Sequence, residues 1–246
     1  MTALLEVKDL SIRFGGVVAA DGISLAVQEG ENLAIIGPNG AGKTTFLNIC
    51  TGYLSPAGGT VHFEGRDITR LAPRKITKLG IARAFQIPQL FLEQTVTENM
   101  LLAITARRGA WSAVRPLGDA AAREEAMMIL GQLKVADHAD RRADELPEGT
   151  RKLVDIAIAL ALGPRLLLMD EPTSGVASSE KFAVMDVLVA ALAARGVASV
   201  FVEHDMDMVT RYANRVAVWN GGRIQKDGTP QDVLSDPEVR RTVIGH

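Results

Sequence analysis

Residues 33–45 read LAIIGPNGAGKTT, an apolar run followed by a glycine-rich turn, a lysine and two threonines. The segment from Gly37 to Thr44 matches the pattern G-x-x-x-x-G-K-[ST], in which the backbone N–H groups of a loop converge on phosphate oxygens. The apolar run predicts a strand that is covered on both faces. A helix that begins near Lys43 adds the positive end of its dipole at the same point. This order of strand, loop and helix predicts a phosphate-binding loop in an α/β fold.

The side chains of this loop predict a nucleotide site. We expect Lys43 to reach the β- and γ-phosphates and the hydroxyl of Thr44 to bind Mg²⁺. The alternative is a glycine-rich turn before an ordinary helix, which the preceding apolar strand disfavours. The residues of this loop that are predicted to bind the nucleotide are Gly37, Pro38, Asn39, Gly40, Ala41, Gly42, Lys43, Thr44 and Thr45.

A second motif, LLLMDEP at residues 166–172, places two acids after four apolar residues. The apolar residues predict a buried strand, so Asp170 emerges at the carboxyl end, where ligands bind in open α/β sheets. There Asp170 can hold the Mg²⁺ shell, and Glu171 can polarise an attacking water. Two solvated acids at the end of a strand are the alternative. Together with the phosphate loop, the motif favours nucleotide hydrolysis.

Composition and charge exclude several classes of protein. The chain has 246 residues, with 27 lysines and arginines, 29 aspartates and glutamates, and one cysteine. A single cysteine excludes a disulfide framework and a cysteine-rich zinc site, and it fits a reducing compartment. The near-neutral charge argues against a protein that coats nucleic acid. No apolar stretch approaches the roughly 18 residues of a membrane span, and the first residues lack a secretory pattern, so we expect a soluble, intracellular protein.

The predicted strands and helices change in character along the chain. Strands broken by glycines give way at about residue 88 to helical stretches, the first with a capping-box pattern at Thr95 and Glu98. Later, strands alternate with helices, which predicts a parallel, doubly wound sheet with an inserted α-helical sub-domain. The predicted elements are strands at about 5–14, 23–27, 33–37, 60–67, 166–170 and 199–203, helices at 95–108, 120–134, 179–195 and 206–213, a link over 109–118, a hairpin over 215–227, and short helices after Pro230 and Pro237.

With these motifs, the sequence resembles the ATP-binding subunits of ABC transporters over nearly its whole length. The matching features are GPNGAGKTT, LLLMDEP, Gln86 in ARAFQ, His204 in VFVEHD, and Phe14, which lies 29 positions before Lys43. The resemblance implies a P-loop NTPase fold of ABC type with an N-terminal antiparallel β subdomain. It also implies an α/β core at 1–87 and 164–246 and a helical subdomain at about 88–163.

The resemblance implies roles for residues outside the phosphate loop. Gln86 would bind Mg²⁺ or the attacking water and sense the membrane subunits. His204 would contact the γ-phosphate and align Glu171 with the water, and Phe14 would stack on adenine. The alternatives are surface polar groups for Gln86 and His204 and a core residue for Phe14. The implied catalytic residues are Glu171, His204, Gln86 and Lys43, and the implied Mg²⁺ ligands are Thr44, Gln86 and Asp170.

Within this family, the segments RFGGVVAADGISL, TVTENMLLA and DGTPQDVLSDPEVRRTVIGH most resemble subunits of branched-chain amino acid uptake systems. The chain would then use ATP and Mg²⁺ to power import. It would work as a peripheral protein on the cytoplasmic face of the inner or plasma membrane, docked on permease subunits through Gln86–Glu93. Its partners would be a second ATP-binding subunit and, indirectly, a substrate-binding protein, without nucleic acid. The alternatives are a soluble ABC-type ATPase in nucleic-acid or translation processes, and a regulatory subunit.

Two segments depart from the family pattern. The signature, commonly LSGGQ, reads LPEGT at residues 146–150, and SGVA at 174–177 replaces SALD. Pro147 has no N–H to offer a phosphate, and Glu148 either repels the phosphate or points away from it. If the chain pairs with a different ATPase, we expect unequal sites, with the competent one formed by Lys43 and the partner's signature. The alternative is that LPEGT is a working variant.

Overall fold

The part of the chain that the computed structural model describes, residues 3–109 and 117–244, forms two β-sheets with helices around them. Most of the predicted link at 109–118 lies outside the described residues. The strands are β1 (Leu5–Phe14), β2 (Val17–Val27), β3 (Asn32–Ile36), β4 (Gly58–Phe63), β5 (Arg66–Asp67), β6 (Ile81–Ala84), β7 (Leu166–Asp170), β8 (Ala198–Val202), β9 (Arg215–Asn220) and β10 (Arg223–Gly228). The helices are α1 (Lys43–Cys50), α2 (Pro73–Leu79), α3 (Val96–Arg108), α4 (Ala120–Gln132), α5 (Glu148–Ala161), α6 (Lys181–Arg195), α7 (Met206–Tyr212), α8 (Pro230–Leu234) and α9 (Pro237–Val239).

The larger sheet has the strand order β10-β9-β3-β8-β7-β6. The strands from β9 to β6 run parallel, and only β10 is antiparallel to its neighbour. All residues of β7 and β8 are buried, as expected for apolar strands that are covered on both faces. The predicted parallel, doubly wound core is confirmed. Because β3 leads into the glycine-rich loop and α1 begins at Lys43, the loop lies at the carboxyl edge of this sheet.

The smaller sheet is antiparallel, with the order β2-β1-β4-β5. The prediction of one strand over residues 60–67 was wrong. Glu64 and Gly65 have φ angles of 52° and 76°, and two consecutive residues with positive φ form the tight turn of a β-hairpin. The chain therefore reverses between β4 and β5. The strand predicted at 23–27 is also longer, because β2 begins at Val17.

Helices α3, α4 and α5 pack together beside the larger sheet. The predicted capping box is present: Glu98 N–H donates to Thr95 Oγ1 over 3.1 Å, and Thr95 N–H donates to Glu98 Oε2 over 2.8 Å. The apolar side chains of these helices belong to the same buried cluster as one face of the larger sheet. The cluster contains residues on both sides of the limits predicted for a helical subdomain, 88–163, and so it does not mark those limits. They stay a prediction.

Elements α2 and β6 were not predicted. Strand β6 has only four residues, IARA, and includes a charged arginine, so its apolar pattern is weak. The C-terminal hairpin is confirmed, with the turn between β9 and β10 at Gly221 and Gly222, whose φ angles are 56° and 77°. Within the described ranges, every helix is too short or too polar to cross a membrane.

Candidate functional site

The glycine-rich loop lies between the two sheets, and its shape depends on two glycines. A Cβ atom on Gly37, whose φ is 153°, would lie 2.0 Å from the carbonyl oxygen of Trp219 in β9. A Cβ atom on Gly42, whose φ is 107°, would lie 2.0 Å from the carbonyl oxygen of Ala19 in β2. Neither position accepts a side chain. The loop therefore forms a backbone cradle that both sheets support.

The ammonium group of Lys43 lies inside this cradle. Lys43 is 6% exposed, and its Nζ donates to the carbonyl oxygens of Gly37 over 2.6 Å and of Pro38 over 3.0 Å. Burial lowers the pKa of Lys43, while the charges of Glu171 and Asp170 act in the opposite direction. The positive charge of Lys43 therefore lies within the loop, close to the carboxylates of Glu171 and Asp170.

Asp170, at the end of β7, is oriented by a contact on each carboxylate oxygen. The hydroxyl of Thr44 donates to Oδ1 over 3.4 Å, and the Arg83 guanidinium forms an ion pair with Oδ2 at 3.2 Å. The Arg83 and Asp170 side chains are only 5% and 3% exposed. Arg83 also donates to Asn48 and lies 4.8 Å from the centre of the Phe85 ring. Asp170 consequently presents one oxygen toward Thr44, while the other is held by a buried cation.

Glu171 follows Asp170 in an unusual backbone conformation. Its φ is +51°, a region that residues with a side chain rarely adopt and that is concentrated at functional sites. Gln86 Nε2 donates to Glu171 Oε2 over 3.0 Å, and His204 Nε2 lies 3.2 Å from Glu171 Oε1. Gln86 and His204, from distant parts of the chain, therefore meet at the carboxylate of Glu171.

A cavity of about 210 Å³ joins these groups. At its edge, the side chains of Phe14 and Val17 are 47% and 59% exposed, so Phe14 is available to a ligand rather than packed in the core. The other predicted site residues are hydrogen-bonded to residues that line the cavity. Gly37 and Pro38 accept from Lys43, Asp170 accepts from Thr44, and Gln86 donates to Glu171. The predicted site residues that line the cavity directly are Phe14, Asn39, Gly40, Ala41, Gly42, Lys43, Thr44, Thr45, Glu171 and His204.

The two segments that depart from the expected pattern contact each other. Glu148 is the first residue of α5. A Cβ atom on Gly175 would lie 1.9 Å from Glu148 Oε1, so the carboxylate packs over the backbone of Gly175. One on Gly149 would lie 3.7 Å from Val176. In this chain, Glu148 therefore lies against the 174–177 loop, where only a glycine leaves it room.

A family model described as ABC transporter matches residues 20–174, which include the phosphate loop, Gln86 and the LLLMDEP motif. The chain belongs to the ABC transporter family. It is therefore an ABC-type ATPase coupled to transport, and the predicted family, fold and enzyme class are confirmed. Nucleotide is the ligand of this family.

Several relatives of this ABC protein match along almost their entire length. The high-affinity branched-chain amino acid transport ATP-binding protein BraF of Pseudomonas aeruginosa is 34% identical over 98% of both chains. The probable branched-chain amino acid transport ATP-binding protein LivG of Methanocaldococcus jannaschii is 37% identical over 98% of this chain and 97% of its own. A crystal structure of the ADP conformation of an ATP-binding cassette of an ABC transporter aligns with a TM-score of 0.88 and 36% identity, covering 100% of both chains.

The structure adds residues to the site that sequence reasoning missed. Val17 lines the cavity, Arg83 pairs with Asp170, and Lys152 and Asp155 of α5 contact the segment around Gln86. Burial raises the pKa of Asp155 to about 6, and the charge of Lys152 acts in the opposite direction. The available signal was the presence of charged residues in apolar surroundings, an arginine in IARAF and a lysine and an aspartate in RKLVDIAIAL.

Proposed function

We propose that this ABC ATPase binds ATP with Mg²⁺ and hydrolyses it to power the import of branched-chain or related amino acids. The observation that carries the chemistry is the meeting of Gln86, Glu171 and His204 beside the phosphate loop. The names of the relatives, which match over 98% of this chain, support the amino-acid substrate. They favour this function over a soluble ATPase in nucleic-acid or translation processes.

In this proposal the phosphate loop and Phe14 bind opposite ends of ATP. The backbone N–H groups of the loop, the dipole of α1 and the ammonium of Lys43 bind the triphosphate. The exposed ring of Phe14, at the edge of the same cavity, stacks on the adenine. Val17 adds apolar surface beside it. The nucleotide thus spans the junction between the two sheets.

The donor atoms beside the loop fit Mg²⁺. Thr44 Oγ1 and Asp170 Oδ1, 3.4 Å apart, are oxygen ligands of the kind that Mg²⁺ prefers, with phosphates and waters completing the shell. Arg83, which holds Asp170 Oδ2, fixes the direction of Oδ1. Among the described residues there is no group of three or more His, Cys, Asp or Glu that suits a metal. Bound Mg²⁺ would neutralise phosphate charge, and Gln86 is a third candidate ligand.

Hydrolysis would proceed by in-line attack of a water on the γ-phosphorus. Glu171 orients and polarises that water, and His204 contacts the γ-phosphate and holds Glu171 in line. Developing charge on the phosphate oxygens is stabilised by Lys43 and by the N–H groups of the loop. The contacts of Glu171 with both His204 and Gln86 support these roles.

The permease subunits would dock on the apolar surface after Gln86. Ile87 and Phe91 are 74% and 63% exposed, and Phe91 borders a groove of about 590 Å³ that α3 lines with Leu101 and Leu102. Leu90 packs against the core, so the segment PQLF at residues 88–91 is anchored by one side chain and offers apolar surface with another. Exposed apolar patches of this kind mark interaction sites. Docking there holds the chain on the cytoplasmic face of the membrane beside a second ATP-binding subunit.

Lys43→Met tests the proposed function. We expect ATP affinity to fall about 10- to 150-fold, because a charged hydrogen bond contributes about 1.5–3 kcal/mol, and ATP-dependent amino-acid uptake to stop. ATP binding to the purified chain and uptake of radiolabelled leucine by vesicles containing the complete transporter measure the two effects. The matched control is Lys75→Met, which makes the same change at an exposed position of α2. Unchanged leucine uptake by the Lys43 variant would refute the proposal.

Phe14→Ala tests the adenine contact. Stacking of a base on an aromatic ring contributes about 1–3 kcal/mol, so ATP should bind about 5- to 150-fold more weakly. Binding of inorganic tripolyphosphate should not change, because it lacks a base. Isothermal titration with both ligands separates these effects, and Phe14→Trp should keep the affinity for ATP. Equal weakening for ATP and tripolyphosphate would show that Phe14 acts on the loop rather than on adenine.

A further inference from the structure

Helix α5 carries two charged residues on a buried face. Lys152 is 2% exposed and Asp155 is 5% exposed. Three positions apart on a helix, they lie on the same face. Burying charged groups is costly unless they find partners, so the partners of this pair indicate what the helix is built to hold.

The partners of both side chains are backbone groups in and around the segment that contains Gln86. Lys152 Nζ donates to the carbonyl oxygen of Gln86 and lies 3.5 Å from that of Phe85. The two carboxylate oxygens of Asp155 accept from different N–H groups, that of Phe85 over 3.1 Å and that of Gln89 over 3.0 Å. Residues 85–89 are therefore attached to α5 through both their N–H and their carbonyl groups.

Lys152 also contacts the backbone of Glu171. Its Nζ donates to the carbonyl oxygen of Glu171 over 3.3 Å. One buried ammonium group thus joins the backbones of Gln86 and Glu171, whose side chains are hydrogen-bonded to each other over 3.0 Å. Because Glu171 has the unfavourable φ of +51°, a donor on its carbonyl helps to hold a conformation that the residue would otherwise leave.

We propose that Lys152 and Asp155, on helix α5, are positioning residues, which hold Gln86 and Glu171 in the relative positions that ATP hydrolysis requires. The inference rests on the proposed function, since it assigns a task to residues that support Glu171. Neither Lys152 nor Asp155 lines the cavity beside the phosphate loop. Their removal should therefore disturb the hydrolysis step and leave the binding of ATP intact.

Lys152→Met tests the inference, because methionine keeps the length and burial of the side chain and removes the three donors. We expect kcat for ATP hydrolysis to fall about 10- to 100-fold, as small displacements of catalytic groups do, while the Kd for ATP stays within twofold. Asp155→Asn should have a smaller effect of the same kind, because its amide oxygen still accepts one of the two N–H groups. Lys75→Met is the matched control.

The measurements use the tagged full chain, isolated from its host membrane with the subunits that accompany it. If the parent complex hydrolyses ATP and Lys152→Met keeps kcat within twofold, the inference is wrong and the proposed function stands. If the Kd for ATP rises in parallel with the loss of kcat, Lys152 is only structural and the inference is again wrong. Should Lys152→Met not fold, Asp155→Asn decides by the same criteria. A parent complex that binds ATP without turnover would overturn the proposed function and this inference together.

Discussion

Glu171→Gln is expected to lower kcat for ATP hydrolysis by about 10²- to 10⁴-fold, the range typical for a group that assists proton transfer. Glutamine has nearly the same shape, so one oxygen remains for a contact with Gln86 or His204, and the backbone contact with Lys152 is kept. What disappears is the negative charge that we propose polarises the attacking water. ATP should still bind, because the phosphate loop is untouched. Release of phosphate and equilibrium binding of ATP measure the two properties separately.

The equivalent substitution in a partner ATPase is the natural control. If this chain pairs with a different subunit, the site formed by Lys43 and the partner's signature is expected to carry more of the turnover. Substitution at Glu171 should then reduce transport more than the equivalent change in the partner. Equal losses would contradict unequal sites. Hydrolysis by Glu171→Gln within threefold of the parent would contradict the assigned role of the carboxylate.

Breaking the buried ion pair between Arg83 and Asp170 is expected to destabilise the chain strongly. Removing one partner of such a pair leaves an uncompensated buried charge, at a cost of about 3–5 kcal/mol. Arg83→Met and Asp170→Asn should therefore each lower the free energy of unfolding by that amount. In a chain of this size the loss corresponds to a fall in Tm of about 6–20 °C. Urea and thermal unfolding without nucleotide measure both changes.

The double variant supplies the control for this prediction. With both groups neutral, no uncompensated charge is left buried, so Arg83→Met with Asp170→Asn should lose clearly less than the two single losses added together. Additive losses would show that the pair is not coupled. The result also bears on tests of Mg²⁺ binding, because Asp170→Asn changes a proposed metal ligand and the partner of Arg83 at once. The change in stability must be known before a change in activity is assigned to the metal.

The parts of the site that sequence reasoning predicted are those whose chemistry is local. The phosphate loop needs glycines at Gly37 and Gly42 because two carbonyl groups lie where side chains would be, and this demand is met within eight consecutive residues. LLLMDEP likewise combines a buried strand and its terminal acids. Lys43, Asp170 and Glu171 could therefore be predicted from patterns alone. The structure places Lys43 and Glu171 at the cavity and Asp170 beside Thr44, and the roles of the three side chains stay predictions.

The residues that were missed depend on contacts between distant segments. Arg83 meets Asp170 across 87 positions, and Lys152 meets Gln86 across 66. No local pattern shows that a charged residue in an apolar stretch will find such a partner, because burial and pairing are decided by the packing of β6, β7 and α5. The turn at Glu64 and Gly65 was missed for another reason. The alternation of TVHFEGRD suits a strand as well as a tight hairpin.

The hydrogen bonds between α5 and residues 85–89 determine which residues of this segment can change in sequence. The hydrogen bonds from Lys152 and Asp155 to this segment all involve main-chain atoms, so these bonds do not depend on the identity of its side chains. Ile87, which is 74% exposed, can be replaced without changing a contact on the catalytic side. If the permease subunits dock on this segment as proposed, mutation can alter their recognition while hydrolysis is preserved. In residues 85–89, an exposed side chain can therefore change in sequence while the backbone stays hydrogen-bonded to α5.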